Sequence, residues 1–102
     1  MIQVRVAETN GTITSMCITG HAEYAEAGQD LVCAAVSGIA FGLLNALDEL
    51  VPSSQLQLTD NIISVKITHP DEKSDCVMRT GLIQLKTVEQ QYKKYIKVKM
   101  EV

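Results

Sequence analysis

Cys33 and His21 are the two side chains in this sequence whose types and spacing allow nucleophilic chemistry. A cysteine attacks as its thiolate, and a free thiol titrates near ~8.5, so a reactive one needs help from its surroundings. Two sources of help are readable. The ring of His21 can take the thiol proton and stay beside the sulfur as imidazolium. A helix N-terminus, with its unpaired N–H groups and dipole, favours a negative sulfur in its first turn. Eleven residues separate the pair, enough for a loop that brings the chain back. Cys33 is expected in the first turn of a helix capped by Asp30, whose carboxylate can accept from the N–H groups of Val32 and Cys33.

Asp30 acts in two directions. Three residues before Cys33, it opposes the thiolate by like-charge repulsion. It also stabilises or orients a protonated His21, and Glu23 and Glu26 push the same way. Backbone N–H groups at the helix start offer an oxyanion site for a tetrahedral intermediate. Ser37, one turn after Cys33, falls on the same helix face and can line the site. Each residue has a plainer reading. A Cys in an Ala- and Val-rich helix also reads as a small packing residue, as do Cys17 and Cys76. A His after Gly also reads as an exposed loop residue. A competing metal constellation would combine Cys17, His21, Cys33 and His69, but its spacing matches no compact zinc pattern. No metal and no cofactor is expected, and there is no phosphate-cradling glycine loop.

The elements that must position these residues follow from the pattern. Ile2, Val4 and Val6 alternate with Gln3, Arg5 and Ala7, the period of a half-buried strand. Asn10-Gly11 marks a tight hairpin, because both residues tolerate positive φ. A β-branched second strand covers about Thr12–Thr19, with Ile13 and Cys17 on one parity and Met16 and Ile18 on the other. Gly20–Gln29 reads as a loop, with a weak helical signal at Ala22–Ala27. A helix from Asp30 to about Leu50 carries the stripe Val32, Val36, Ile39, Leu43, Leu47 and Leu50, and Pro52 follows its end. Gln55–Leu58 and Ile62–Thr68 form a second hairpin bent at Thr59-Asp60-Asn61, with Leu56, Leu58, Ile63, Val65 and Ile67 inward. A second helix, about Glu72–Tyr92, has the stripe Met78, Leu82, Leu85, Val88 and Tyr92. Ile96–Val102 alternates as a final strand. The order β-β-α-β-β-α-β implies one α+β domain over residues 1–102: a five-stranded, mostly antiparallel sheet packed by two helices.

Composition narrows the classes further. With 46% hydrophobic and 21% charged residues, the 102-residue chain can bury a core and is not disordered. A net charge of −3 argues against general nucleic-acid binding. The charge is unevenly spread. Up to Val65, Arg5 is the one base against seven acids, whereas from Lys66 onward eight bases face five acids. The acidic Gly20–Asp30 segment suits a basic peptide or protein. Leu31–Leu47 lacks charges but falls short of the ~20 residues of a membrane span, and reads as a buried helix able to pack on a partner subunit. Three cysteines without a CxxC suit a reducing cytoplasm.

Gly20-His21-Ala22, then Asp30-Leu31-Val32-Cys33-Ala34-Ala35-Val36-Ser37, closely resembles the bacterial ribosomal-processing cysteine protease family, Prp. The resemblance extends over the whole length. It implies a Cys33–His21 dyad, with Cys33 as nucleophile and His21 as general base. Gly20, Asp30 and Ser37 are the further candidates for holding or orienting substrate. It also implies a homodimer, and a substrate that is an N-terminally extended precursor of a large-subunit ribosomal protein. A noncatalytic ribosome-associated binding module is the alternative.

Overall fold

The computed structural model describes residues 1–20, 27–60 and 62–101, with backbone alone over 27–30. Strands β1 (Ile2–Thr9) and β2 (Thr12–Thr19) precede helix α1 (Ala27–Leu50). Strands β3 (Ser54–Leu58) and β4 (Ile62–Ile67), helix α2 (Glu72–Gln91) and strand β5 (Ile96–Glu101) complete the order expected from the pattern. The strands form one sheet in the order β3-β4-β2-β1-β5. Three of its pairings are antiparallel, and β5 lies parallel to β1.

The β1–β2 hairpin turns at Asn10 and Gly11, both at positive φ, as the dipeptide requires. Its register resolves the mixed parity of β2. Ala7 pairs with Ser15 but Glu8 pairs with Ile13, so Thr14 is an extra residue. One inserted residue flips the alternation. Ile13, Met16 and Ile18 therefore all reach the core, and Cys17 turns to the outer face opposite Arg5 and Ser64.

Both helices serve the inner sheet face. Val32, Val36, Ala40, Leu43 and Leu47 of α1 are buried with Met78, Leu82 and Leu85 of α2, over Val4, Val6, Met16 and Val65 of the sheet. Ala40 takes a core place that the expected stripe assigned to Leu50, which is exposed. The outer face is polar, with Gln3, Arg5, Lys66, Lys97 and Lys99 in solvent. Helix α2 begins as expected. Asp71 Oδ1 accepts from Ser74 N–H at 2.8 Å, and the Ser74 hydroxyl accepts from Asp71 N–H at 2.9 Å. This reciprocal cap leaves no orphan donor at the first turn's buried corner, where Ser74 is fully covered.

Helix α1 is the apolar one. Its segment Leu31–Leu50 has a mean hydropathy of 1.8 and is long enough to cross a bilayer by length and composition, yet one of its faces forms the core of this domain. Its opposite face does not pack. Leu31 is 61% exposed and Phe41 47%. The expectation of a buried helix therefore holds for one face only.

Candidate active site

Cys33 is half-buried on α1 and opens into a cleft of about 510 Å³. Besides Ile2 of β1, three segments line the cleft. Helix α1 contributes Cys33, Ser37 and Phe41, the end of β2 contributes Gly20, and the β3–β4 turn contributes Leu58, Asp60 and Ile62. Ser37 follows Cys33 by four residues, so helical periodicity puts both on one face. Leu56 and Leu58 pair with Val65 and Ile63 and share their inner face, yet both stay exposed, Leu58 to 56%.

Gly20 has a stringent local reason to be glycine. Its φ is +85°, and a Cβ there would come within 2.4 Å of the Met1 carbonyl oxygen. Any side chain would force apart the chain start and the end of β2, which together form one end of the cleft.

One expectation about activation is corrected. Helix α1 starts at Ala27, so Asp30 is a helical residue and not the N-cap. Cys33 is the seventh described residue of the helix, nearly two turns in at ~3.6 residues per turn. The unpaired N–H groups of the helix belong to its first four residues, and the dipole's influence falls off within the first turn. The helix start therefore supplies neither the thiolate stabilisation nor the oxyanion donors expected of it. The preceding segment carries a helical extension that its lack of apolar periodicity hid. His21, Glu23, Glu26 and all but the last residue of the weak helical signal at Ala22–Ala27 lie outside the described residues, as does the side chain of Asp30.

The competing metal constellation is not assembled. Cys17 sits on the outer sheet face, whereas Cys33 belongs to the helix that covers the inner face. His69 follows the far end of β4, beside Thr68, with its Nδ1 3.2 Å from the Thr68 hydroxyl oxygen. Among the described residues no group of three or more His, Cys, Asp or Glu side chains is placed to hold a metal ion. Cys76 is exposed on α2, so its reading as a packing residue is also corrected. The β3–β4 turn is what sequence reading missed. Thr59-Asp60-Asn61 signals a bend, but only the strand order β3-β4-β2 shows that this bend closes over the Cys33 end of α1.

A second groove, about 430 Å³, runs between α1 and α2 along Gly38, Gly42 and Gly81. None of the candidate site residues lines it. At Gly81 an added Cβ would come 2.8 Å from Leu43 Cδ2, so the glycine permits the close helix–helix approach.

Comparison with known proteins agrees with this architecture. The sequence profile of the family described as cysteine protease Prp matches residues 1–97. The ribosomal processing cysteine protease Prp of Staphylococcus aureus is 32% identical over 92 residues, covering 86% of this chain and 87% of that protein. The Bacillus subtilis protein of the same name is 31% identical over 107 residues, covering 96% of each. The crystal structure of the essential ribosomal processing protease Prp from S. aureus, in complex with a covalently linked product peptide, superposes with a TM-score of 0.87. It is 26% identical, with 99% of this chain and 100% of that one covered. With a matching profile across nearly the whole length and an open cysteine-bearing cleft in the matching fold, the chain belongs to the Prp family of cysteine proteases.

Proposed function

We propose that this protease removes the N-terminal extension of a large-subunit ribosomal protein precursor, using Cys33 as nucleophile and His21 as general base. The observation that carries the reading is the placement of Cys33 on the wall of a cleft open enough to admit an extended peptide. The names of the relatives, ribosomal processing proteases, supply the substrate class. Catalysis runs in two halves. The Cys33 thiolate attacks the scissile carbonyl carbon, and the tetrahedral intermediate collapses to a thioester as His21 protonates the leaving amine. His21 then takes a proton from water, which attacks the thioester and restores the thiol. In this reading Ser37 holds the substrate backbone from the same helix face, and Asp30 orients the imidazole. Gly20 acts through the backbone, holding the cleft end in shape.

The chain works as a single domain over residues 1–102 in the cytoplasm, without a cofactor, and as a homodimer. The unpacked face of α1, with Leu31, gives a second copy apolar surface to cover. Substrate reaches the enzyme as free protein, with no nucleic-acid or membrane contact. The acidic residues of the Gly20–Asp30 segment favour a basic ribosomal protein.

Incubation with an extended ribosomal-protein precursor tests the reading, with the products located by mass spectrometry. The parent should release one N-terminal peptide. Cys33→Ala should retain the fold and release none. Equal cleavage by Cys33→Ala would remove Cys33 from the mechanism.

A further inference from the structure

The cleft is apolar on most of its wall and one-sided in charge. Among the described residues that line it, Asp60 is the single carboxylate, and no Lys, Arg or His accompanies it. Asp60 sits in the exposed turn between β3 and β4, flanked on the wall by Leu58 and Ile62, with Phe41 also lining the cleft. Aspartate in a turn commonly serves the turn itself by accepting backbone N–H bonds. Here the turn is closed by its neighbour. Thr59 N–H donates to the Ile62 carbonyl at 2.9 Å, and the Thr59 hydroxyl donates to the same oxygen at 3.4 Å. Among the described residues Asp60 joins none of the ion pairs, which are Arg5–Glu101, Arg79–Glu8 and Arg79–Asp75. Its charge therefore lies on the cleft wall with no basic side chain beside it among the described lining residues.

We propose that Asp60 is a specificity residue. It selects a cationic group, either a Lys or Arg side chain or the free N-terminal amine, at one position of an otherwise apolar peptide. It rejects an acidic residue at that position. A carboxylate beside an apolar wall is less screened than one in open water, and a like charge brought against it is disfavoured. This inference rests on the peptidase reading for its substrate, so its test separates the two.

The probe is a set of internally quenched octapeptides of Leu, Phe and Ala with Lys, Gln or Glu scanned through each position. N-terminally acetylated copies distinguish a side-chain cation from the terminal amine. Each peptide is measured twice: cleavage by the parent, and binding to Cys33→Ala. At low salt one position, or the free amine, should favour cation over anion roughly fivefold, as expected of a partly exposed ion pair. The preference should vanish in Asp60→Asn, invert in Asp60→Lys, and shrink in 0.5 M salt. Asp60→Lys with an unchanged Lys-to-Glu ratio at every position, in both assays, would overturn the inference. Binding that shows the preference without any cleavage would uphold it and overturn the peptidase reading instead.

Discussion

The two hairpins of this sheet end very differently. The tip of β1–β2 is clasped to α2 by polar contacts. Asp75 Oδ1 accepts from Ile13 N–H at 2.8 Å, and the Arg79 guanidinium donates to Asp75 Oδ1 at 3.0 Å and to the Gly11 carbonyl at 3.2 Å, and lies 3.0 Å from Glu8. The tip of β3–β4 leaves Leu58 and Ile62 exposed on the cleft wall beside Cys33. One tip has its polar groups satisfied within the fold, and the other presents apolar groups with no internal partner. Burying Leu58 and Ile62 would add stability, since apolar burial is worth ~25 cal/mol per Å², but it would fill the cleft. The first tip is tied into the fold, and the second is left open on the wall of the cleft.

That contrast can be broken by substitution. The largest loss of stability is expected where the cleft meets the chain start. Gly20→Ala combines a positive φ with a backbone clash and should cost about 2–4 kcal/mol, read as a lowered melting temperature with reduced cleavage. Asp75→Ala should cost less, about 1–2 kcal/mol, because it strands a half-buried Ile13 N–H in a partly solvated clasp.

The Asp75 effect carries a pH signature. Its hydrogen bond with Arg79, and then that from Ile13 N–H, hold the carboxyl below its ordinary value. A depressed folded-state value stabilises the fold above the unfolded carboxylate pKa of ~3.9, and that gain is lost as pH falls through the folded value. The melting temperatures of the parent and Asp75→Ala should therefore differ fully at neutral pH and converge below about pH 4. A gap that stays constant down to strongly acid pH would show that the clasp works without its charge.

The smallest stability effects belong to the open tip. Leu58→Ser and Phe41→Ser should each change stability by no more than about 0.5 kcal/mol, because both side chains are already in solvent. Both should nevertheless lower kcat/KM on the precursor. A large fall in melting temperature from either would mean that the open tip is also tied into the fold.

Most of the fold was legible because alternation and capping are local signals. The Asn10-Gly11 turn, the start of α2 near Glu72 and the Met78–Leu85 stripe each follow from a few adjacent residues. What was not legible depends on pairing across the sheet. The Thr14 bulge, which puts Ile13 and Met16 on one face, is invisible until β1 supplies the register. The start of α1 was misplaced because Asp30 is a good cap by type and Ala27–Gln29 offers no apolar period to extend the helix. Cys33 and Ser37 were readable as a helical pair. Asp60, Leu58 and Phe41 were not, since nothing within the chain's local pattern brings the β3–β4 turn to the cleft.

The most direct test of the central claim is a race between thiols. Cys76 is exposed, whereas Cys33 is half-buried, so access alone would have Cys76 alkylated first. With one equivalent of iodoacetamide at neutral pH and peptide mapping by mass spectrometry, Cys33 should carry the adduct first, precursor cleavage should fall in proportion, and His21→Ala should slow that labelling. Adducts accumulating on Cys76 ahead of Cys33, with Cys33 no faster in the parent than in His21→Ala, would contradict an activated nucleophile in this cleft.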